Sequence, residues 1–202
     1  MFRRGEIYDN PVTGIRAIVR LGTDESNGQK LVIDLYVRGC SNGTPKHLHP
    51  TMQERLTVVS GCVAVFLNGT IFIARPGDTF DIPPGTPHRW WNADFFEAKV
   101  TMEISPADRF EVFIRNMIGL AQDGKTDAKG MPNLLQLALL ADEFDDVIHF
   151  LEPPRFVQRV LFPLLALVAR MRGYKSNYPE YLFRPSSKVP GNTNKLKLIS
   201  LL

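Results

Sequence analysis

The stretches HLHPTMQERLTVVSG (His47–Gly61) and GDTFDIPPGTPHRWWN (Gly77–Asn92) decide how this chain is read. The chain holds four histidines, and three of them fall inside these two segments. In an extended strand, side chains two positions apart point to the same face, so His47 and His49 project together. Glu54 follows five residues after His49, within reach of the same point through a short turn. His88 arrives from a separate stretch behind PPGTP, a rigid turn that fixes how the next strand enters. Three imidazoles and one carboxylate make a mixed nitrogen and oxygen donor set suited to a divalent first-row metal. Four protein donors leave room on an octahedral ion for a substrate oxygen and a second molecule such as dioxygen. That is the layout of a catalytic site rather than a closed structural one.

Around these segments, from about Ala17 to Ile104, the sequence reads as short strands between turns. In LVIDLYVR (Leu31–Arg38), Ile33, Leu35 and Val37 alternate with Asp34, Tyr36 and Arg38, the period of a half-buried strand. Asn68-Gly69 marks a hairpin between two further strands, and Gly61 marks a bend or bulge. FFEAKVTMEI (Phe95–Ile104) alternates again. Many short strands with Gly and Pro turns predict a mainly β sandwich or barrel.

At Ser105 the period changes. Ser105, Pro106 and Asp108 predict a capped helix start, and Phe110, Phe113, Met117 and Leu120 recur at helical spacing until Gly124. A second helix is predicted after Pro132, with Leu134, Leu137, Ala141, Phe144 and Ile148 on one stripe and Asp142, Glu143, Asp145 and Asp146 largely opposite. Pro153-Pro154 stops it. A third, more apolar helix is predicted over Arg155–Met171, kinked at Pro163. The expected organisation is a β body over 1–105, a helical extension over 106–182 and an irregular basic tail over 183–202.

Apolar content of 44 % and charged content of 22 % are those of a globular chain. A net charge of +3 is too small to argue for nucleic acid, but residues 151–202 hold nine Lys and Arg against two Glu. The longest uncharged apolar run, Val160–Ala169, contains Pro163 and is about half a membrane span. No apolar signal-peptide core follows the basic start, so a cytoplasmic protein is expected. Cys40 and Cys62 are expected to be free, partly buried thiols.

The two opening segments also carry a family pattern. The first reads His-x-His, four residues, Glu54, six residues, Gly61; the second reads Gly77, five residues, Pro83-x-Gly85, two residues, His88, three residues, Asn92. Fifteen residues, Cys62–Pro76, separate them. In this spacing the chain resembles the cupin superfamily over roughly residues 15–105. One position departs: the family's leading glycine, six residues before His47, is Ser41 here, between Gly39 and Gly43. The resemblance implies a double-stranded β-helix, a small jelly-roll barrel holding one divalent transition metal on His47, His49, Glu54 and His88. Iron is the favoured ion, with Mn, Ni, Zn and Cu as others. Cupins include dioxygenases, isomerases, decarboxylases, lyases, polyketide cyclases and non-catalytic binders. By that analogy, oxidative chemistry on a small, partly apolar molecule is the leading expectation.

For catalysis, Glu54 is the one carboxylate placed to act as a base by leaving the ion. Trp90, on the His88 side of its strand, is a candidate pocket residue, whereas Arg89 and Trp91 face away. Tyr36, Arg38, Gln53, Phe66 and Met102 are further pocket candidates, and Met52, Phe72 and Phe80 read rather as barrel filling. His149, beside Asp145 and Asp146, reads as a surface ion pair rather than a second metal site. The helical extension is read as adding no chemistry. Its apolar C-terminal helix is expected to pack on the barrel or in a homodimer rather than on a membrane surface.

Overall fold

The computed structural model describes residues 1–182 and 184–188, so most of the expected tail lies outside the described residues. The chain opens with strands β1 (Glu6–Asn10), β2 (Ile15–Leu21), β3 (Leu31–Val37), β4 (His47–Leu48) and β5 (Gln53–Ser60). They are followed by β6 (Val63–Leu67), β7 (Thr70–Ala74), β8 (Thr79–Ile82), β9 (His88–Trp91) and β10 (Ala98–Ser105). Next come α1 (Asp108–Gln122), α2 (Leu134–Glu143), β11 (His149–Phe150), α3 (Arg155–Met171), α4 (Pro179–Leu182) and β12 (Ser187–Lys188). Two antiparallel sheets result, one ordered β12-β1-β2-β3-β10-β5-β8 and the other β11-β4-β9-β6-β7. This is the mainly β, jelly-roll architecture with C-terminal helices that the sequence predicts.

The inner face of the larger sheet follows from two-residue alternation. β3 buries Leu31, Ile33, Leu35 and Val37, and its partner β10 buries Ala98, Val100, Met102 and Ile104. On β5 the same alternation buries Glu54, Leu56 and Val58 and leaves Gln53 and Arg55 outside. The carboxylate thus enters the interior on an ordinary strand rather than through a separate turn. Asp34, on the outer side of β3, is also buried, because Arg20, Lys99 and Thr101 close over it.

Turns set the register. Asn68 and Gly69 take positive φ and join β6 to β7, with Leu67 opposite Thr70, as a two-residue hairpin requires. Gly61, at φ +80°, lies so close to β10 that an added Cβ would come within 2.8 Å of the Ala98 backbone.

Three expectations need correction. FFEAKVTMEI is not one strand: β10 starts at Ala98, and Phe95 and Phe96 are exposed in the preceding turn. The capping box at Ser105 does not form. Ser105 ends β10 and donates its hydroxyl to the Gln29 carbonyl, while α1 starts at Asp108 after Ala107 with no side-chain cap. The second helix is shorter than its stripe: α2 ends at Glu143, and Phe144 and Ile148 are buried in the turns that follow. Its last turn holds Asp142 and Glu143, the wrong sign for a helix C-terminus, and the chain unwinds there to reach the sheet. There Phe150 pairs with His47 and His149 with Leu48. The third helix matches its expected bounds and continues as α-helix through Pro163.

Candidate metal centre

Four ligand-type side chains meet at one point. The donor atoms of His47, His49, Glu54 and His88 all lie within 4.8 Å of one another, and all four residues are buried. β4 supplies His47, the next turn His49, β5 Glu54 and β9 His88; His47 sits directly across from His88 in the sheet. Their ring centroids are 4.2 Å apart, and those of His47 and His49 are 4.9 Å apart.

Each ring is held by its far nitrogen. Nδ1 of His47 lies 2.8 Å from the Pro45 carbonyl, Nδ1 of His49 2.8 Å from that of Val147, and Nδ1 of His88 2.9 Å from that of Thr86. A carbonyl can only accept, so each Nδ1 carries the proton and each Nε2 keeps its lone pair for the centre. Nε2 of His49 and of His88 each sit 3.3 Å from Glu54 Oε2. Even so, both nitrogens and Glu54 Oε1 are buried without a hydrogen-bond partner. Orphaned buried acceptors are costly, and a cation among them satisfies all of them together. The donor set therefore fits a divalent metal.

Electrostatics point the same way. Burial, with the neighbouring His88 and His49 rings, pushes the His47 imidazole down to about 3, so it is neutral at physiological pH. Burial works to raise the Glu54 carboxyl, but the flanking His49 and His88 rings outweigh it and hold the group well below the usual carboxylate range. Burial likewise works to lower His88, and Glu54 overrides it, so this imidazole is raised.

Beside the cluster lies a cavity of about 170 Å³, walled by both sheets and by α1. Val19, Ile33, Leu35, Trp90 and Met102 line it from the strands, and Phe110, Phe113 and Met117 from α1. Of the pocket residues expected from sequence, Trp90 and Met102 line this cavity together with His47, His49 and Glu54. The other four do not. Tyr36 and Arg38 lie on the outer face of β3 or just beyond it, with Lys99 over the Tyr36 ring. Gln53 is exposed one step out of phase with Glu54, and Phe66 is half-buried beneath Lys46. Met52 is buried outside the lining; Phe72, expected to fill the barrel, is instead exposed, its ring tilted against half-buried Phe80 with centroids 5.8 Å apart, away from the site. Trp91 turns away as expected, 4.7 Å from Arg89. His149 Nε2 accepts from Arg155 Nη2 at 2.8 Å, so the ion pair at this surface is Arg155 with Asp145, at 2.5 Å, rather than His149 itself. Cys40 is exposed rather than partly buried, and Cys62 is half-buried; both are free.

The helical extension contributes more than its sequence suggests. Besides the α1 wall, it adds β11 beside β4 and supplies the Val147 carbonyl that orients His49. Lys129, in the loop after α1, stands at the cavity rim near Thr13, the one Lys or Arg among the lining residues. The helical spacing of Phe110, Phe113 and Met117 was the available signal for the wall, whereas a backbone carbonyl leaves none. Asn92 has a structural task. Its amide donates to the Val37 and Phe96 carbonyls at 2.9 and 2.7 Å, and its Oδ1 accepts from the Asp94 amide, tying the end of β9 to the chain around it. Ser41 bridges Thr13 and Gly43 through its hydroxyl, and Gly43 at φ +64° leaves no room for a Cβ against the Trp90 carbonyl.

Residues 40–103 match the family model described as a cupin domain. An oxidoreductase of Arthrobotrys oligospora is 28 % identical over 152 residues, which cover 68 % of this chain and 58 % of that protein, so the chain spans less than two thirds of this relative. Among solved structures, KdgF from a Halomonas species covers 49 % of this chain and 86 % of its own at 23 % identity and a TM-score of 0.44. An RmlC-like cupin from Shewanella frigidimarina covers 51 % and 85 % at 22 % identity and a TM-score of 0.44.

Proposed function

We propose that this chain, whose residues 40–103 match the cupin domain model, is a metal-dependent oxidative cupin enzyme acting on a small, partly apolar organic molecule. The observation that carries this reading is that His47, His49 and Glu54 of the four-residue cluster line an apolar cavity, with His88 buried behind them. A space of about 150 Å³ lined by apolar groups accommodates a benzene-sized molecule, which sets the scale of the substrate. A divalent ion on the four residues would supply Lewis acidity and, if redox-active, a route for electrons between substrate and dioxygen. The oxidoreductase name of the Arthrobotrys relative supports the oxidative version.

The chain's own groups do the rest. Trp90, Met102, Phe110 and Phe113 exclude water and leave the ligand little rotational freedom. Glu54, ionised by its surroundings, is a carboxylate donor and can accept a proton if it swings off the cluster. Lys129 at the rim favours a substrate carrying an acidic oxygen.

Elemental analysis of the purified protein, combined with oxygen uptake on small phenols and enols, tests this. Stoichiometric iron with turnover-linked oxygen consumption is the expected result. Turnover on zinc or manganese without oxygen consumption would assign isomerase, cyclase or lyase chemistry instead. Ligand binding without any metal would make the protein a binding module.

A further inference from the structure

α3 turns one side to α2 and the other to solvent. Gln158, Phe162, Ala166 and Ala169 are buried on the α2 side. At about 100° per residue, Phe156, Val160, Leu164, Leu167 and Met171 fall along a single line on the opposite side, flanked by Leu161 and Val168. All seven are exposed, Phe156 at 73 %, Leu164 at 60 % and Met171 at 81 %. The stripe is about 22 Å long and spans about 140° of the helix surface, and no polar side chain interrupts it. Scattered exposed apolar residues are ordinary, but a contiguous patch of this kind marks a contact surface.

Charge says what the contact is. No Asp or Glu occurs anywhere in α3; Arg159 and Arg170 line one border of the stripe, and Arg155 is turned further round toward the buried side. Asp145 pairs with Arg155 and Asp142 with Arg170, at 2.5 and 3.1 Å. Arg159 has no ion-pair partner among the described residues, nor do Arg172 and Lys175 just beyond the helix. A protein–protein interface carries roughly one hydrogen bond per 100–200 Å², and this arc offers no side-chain donor or acceptor. A second copy would also bring the same basic border against its own kind in an antiparallel two-fold pairing. Hydrocarbon below and phosphate at the edge satisfy both features. At 17 residues, α3 is not a membrane-crossing helix.

We propose that α3 is an interfacial helix that seats this protein on bilayers containing anionic lipid, with the Phe156–Met171 stripe in the acyl boundary and Arg159, Arg172 and Lys175 at the headgroups. This holds whether or not the metal centre is oxidative.

Flotation of the full chain with vesicles of phosphatidylcholine, with and without phosphatidylglycerol, tests it. At low ionic strength the protein is expected to float with the mixed vesicles and not with the neutral ones, and to be released by salt. Leu164→Glu and Arg159→Glu are each expected to lower recovery by about tenfold, with thermal midpoints unchanged because both positions are exposed. Should Leu164→Glu misfold, Arg159→Glu and the salt dependence still decide. No flotation, or equal flotation on neutral vesicles with no effect of Arg159→Glu, overturns the proposal. So does a wild-type dimer in light scattering that Leu164→Glu converts to a monomer, since the stripe would then belong to a second copy of this chain.

Discussion

A histidine with its Nδ1 proton fixed on a carbonyl has a single lone pair left to offer, and three such rings point at one carboxylate here. Replacing His49 or His88 with Ala is therefore expected to remove most bound metal while the fold persists, as read by metal content after dialysis and by near-UV circular dichroism. Full metal retention in either variant would contradict the site. Proton competition has a definite sign. His88 is raised above the ordinary imidazole value because Glu54 outweighs burial, and a proton on Nε2 excludes the metal. Affinity for the metal thus weakens as pH drops below that raised value, and occupancy is lost at more acidic pH still, measurable by dialysis at graded pH. In the metal-free protein the linkage reverses: the Glu54–His88 contact stabilises the fold below the ordinary imidazole value and is lost as pH rises through the raised one. The convergence of the four side chains is legible because the His-x-His spacing and the turn before His88 aim the imidazoles at one point, although Glu54 reaches it on strand β5 and not through a turn. The same alternation, applied to β5, separates Glu54 from the exposed Gln53. The carbonyls of Pro45, Thr86 and Val147 were not legible, since every residue owns one.

Within the sheets, buried polar groups act as staples between strands. Asp34 on β3 takes Arg20 at 2.6 Å from β2, and Lys99 and Thr101 at 2.9 Å from β10. Burial alone would raise its carboxyl, but Lys99, Arg20 and Thr101 prevail and lower it. A depressed carboxylate stabilises the fold above its unfolded pKa and loses that contribution as pH falls through the folded value. Asp34→Asn is expected to cost about 1–3 kcal/mol at neutral pH and to flatten the acid limb of the stability profile, as read by urea unfolding across pH. Asn92→Ala, which strands the Val37 and Phe96 carbonyls, is expected to cost a similar 1–3 kcal/mol by the same measurement. The helices were legible where periodicity and boundary agree, as in α3, and misread where a long-range demand wins. The stripe from Leu134 to Ile148 is a valid helical pattern, but strand pairing of Phe150 with His47 ends the helix early.

Across the whole molecule, the division into a β body and a helical extension hides their shared interior. Local spacing cannot announce that β11 will join β4 or that α1 will wall the cavity, because these contacts join positions far apart in the chain. A chain ended at Ser105 would leave Ile33, Leu35 and Trp90 facing water. It is expected to be insoluble, or to bind a hydrophobic dye and lack near-UV dichroism; a truncated chain with a native-like spectrum would contradict this. Met117→Trp, filling the cavity from α1, is expected to leave metal content unchanged while abolishing thermal stabilisation by small aromatic ligands. The bond between His49 and the Val147 carbonyl spans 98 positions of sequence. It leashes one imidazole to the segment just downstream of α2, the helix on which α3 rests. A tug on that leash from the outer surface would rotate the ring, so an ion held there and the seat proposed for α3 would be geared to each other.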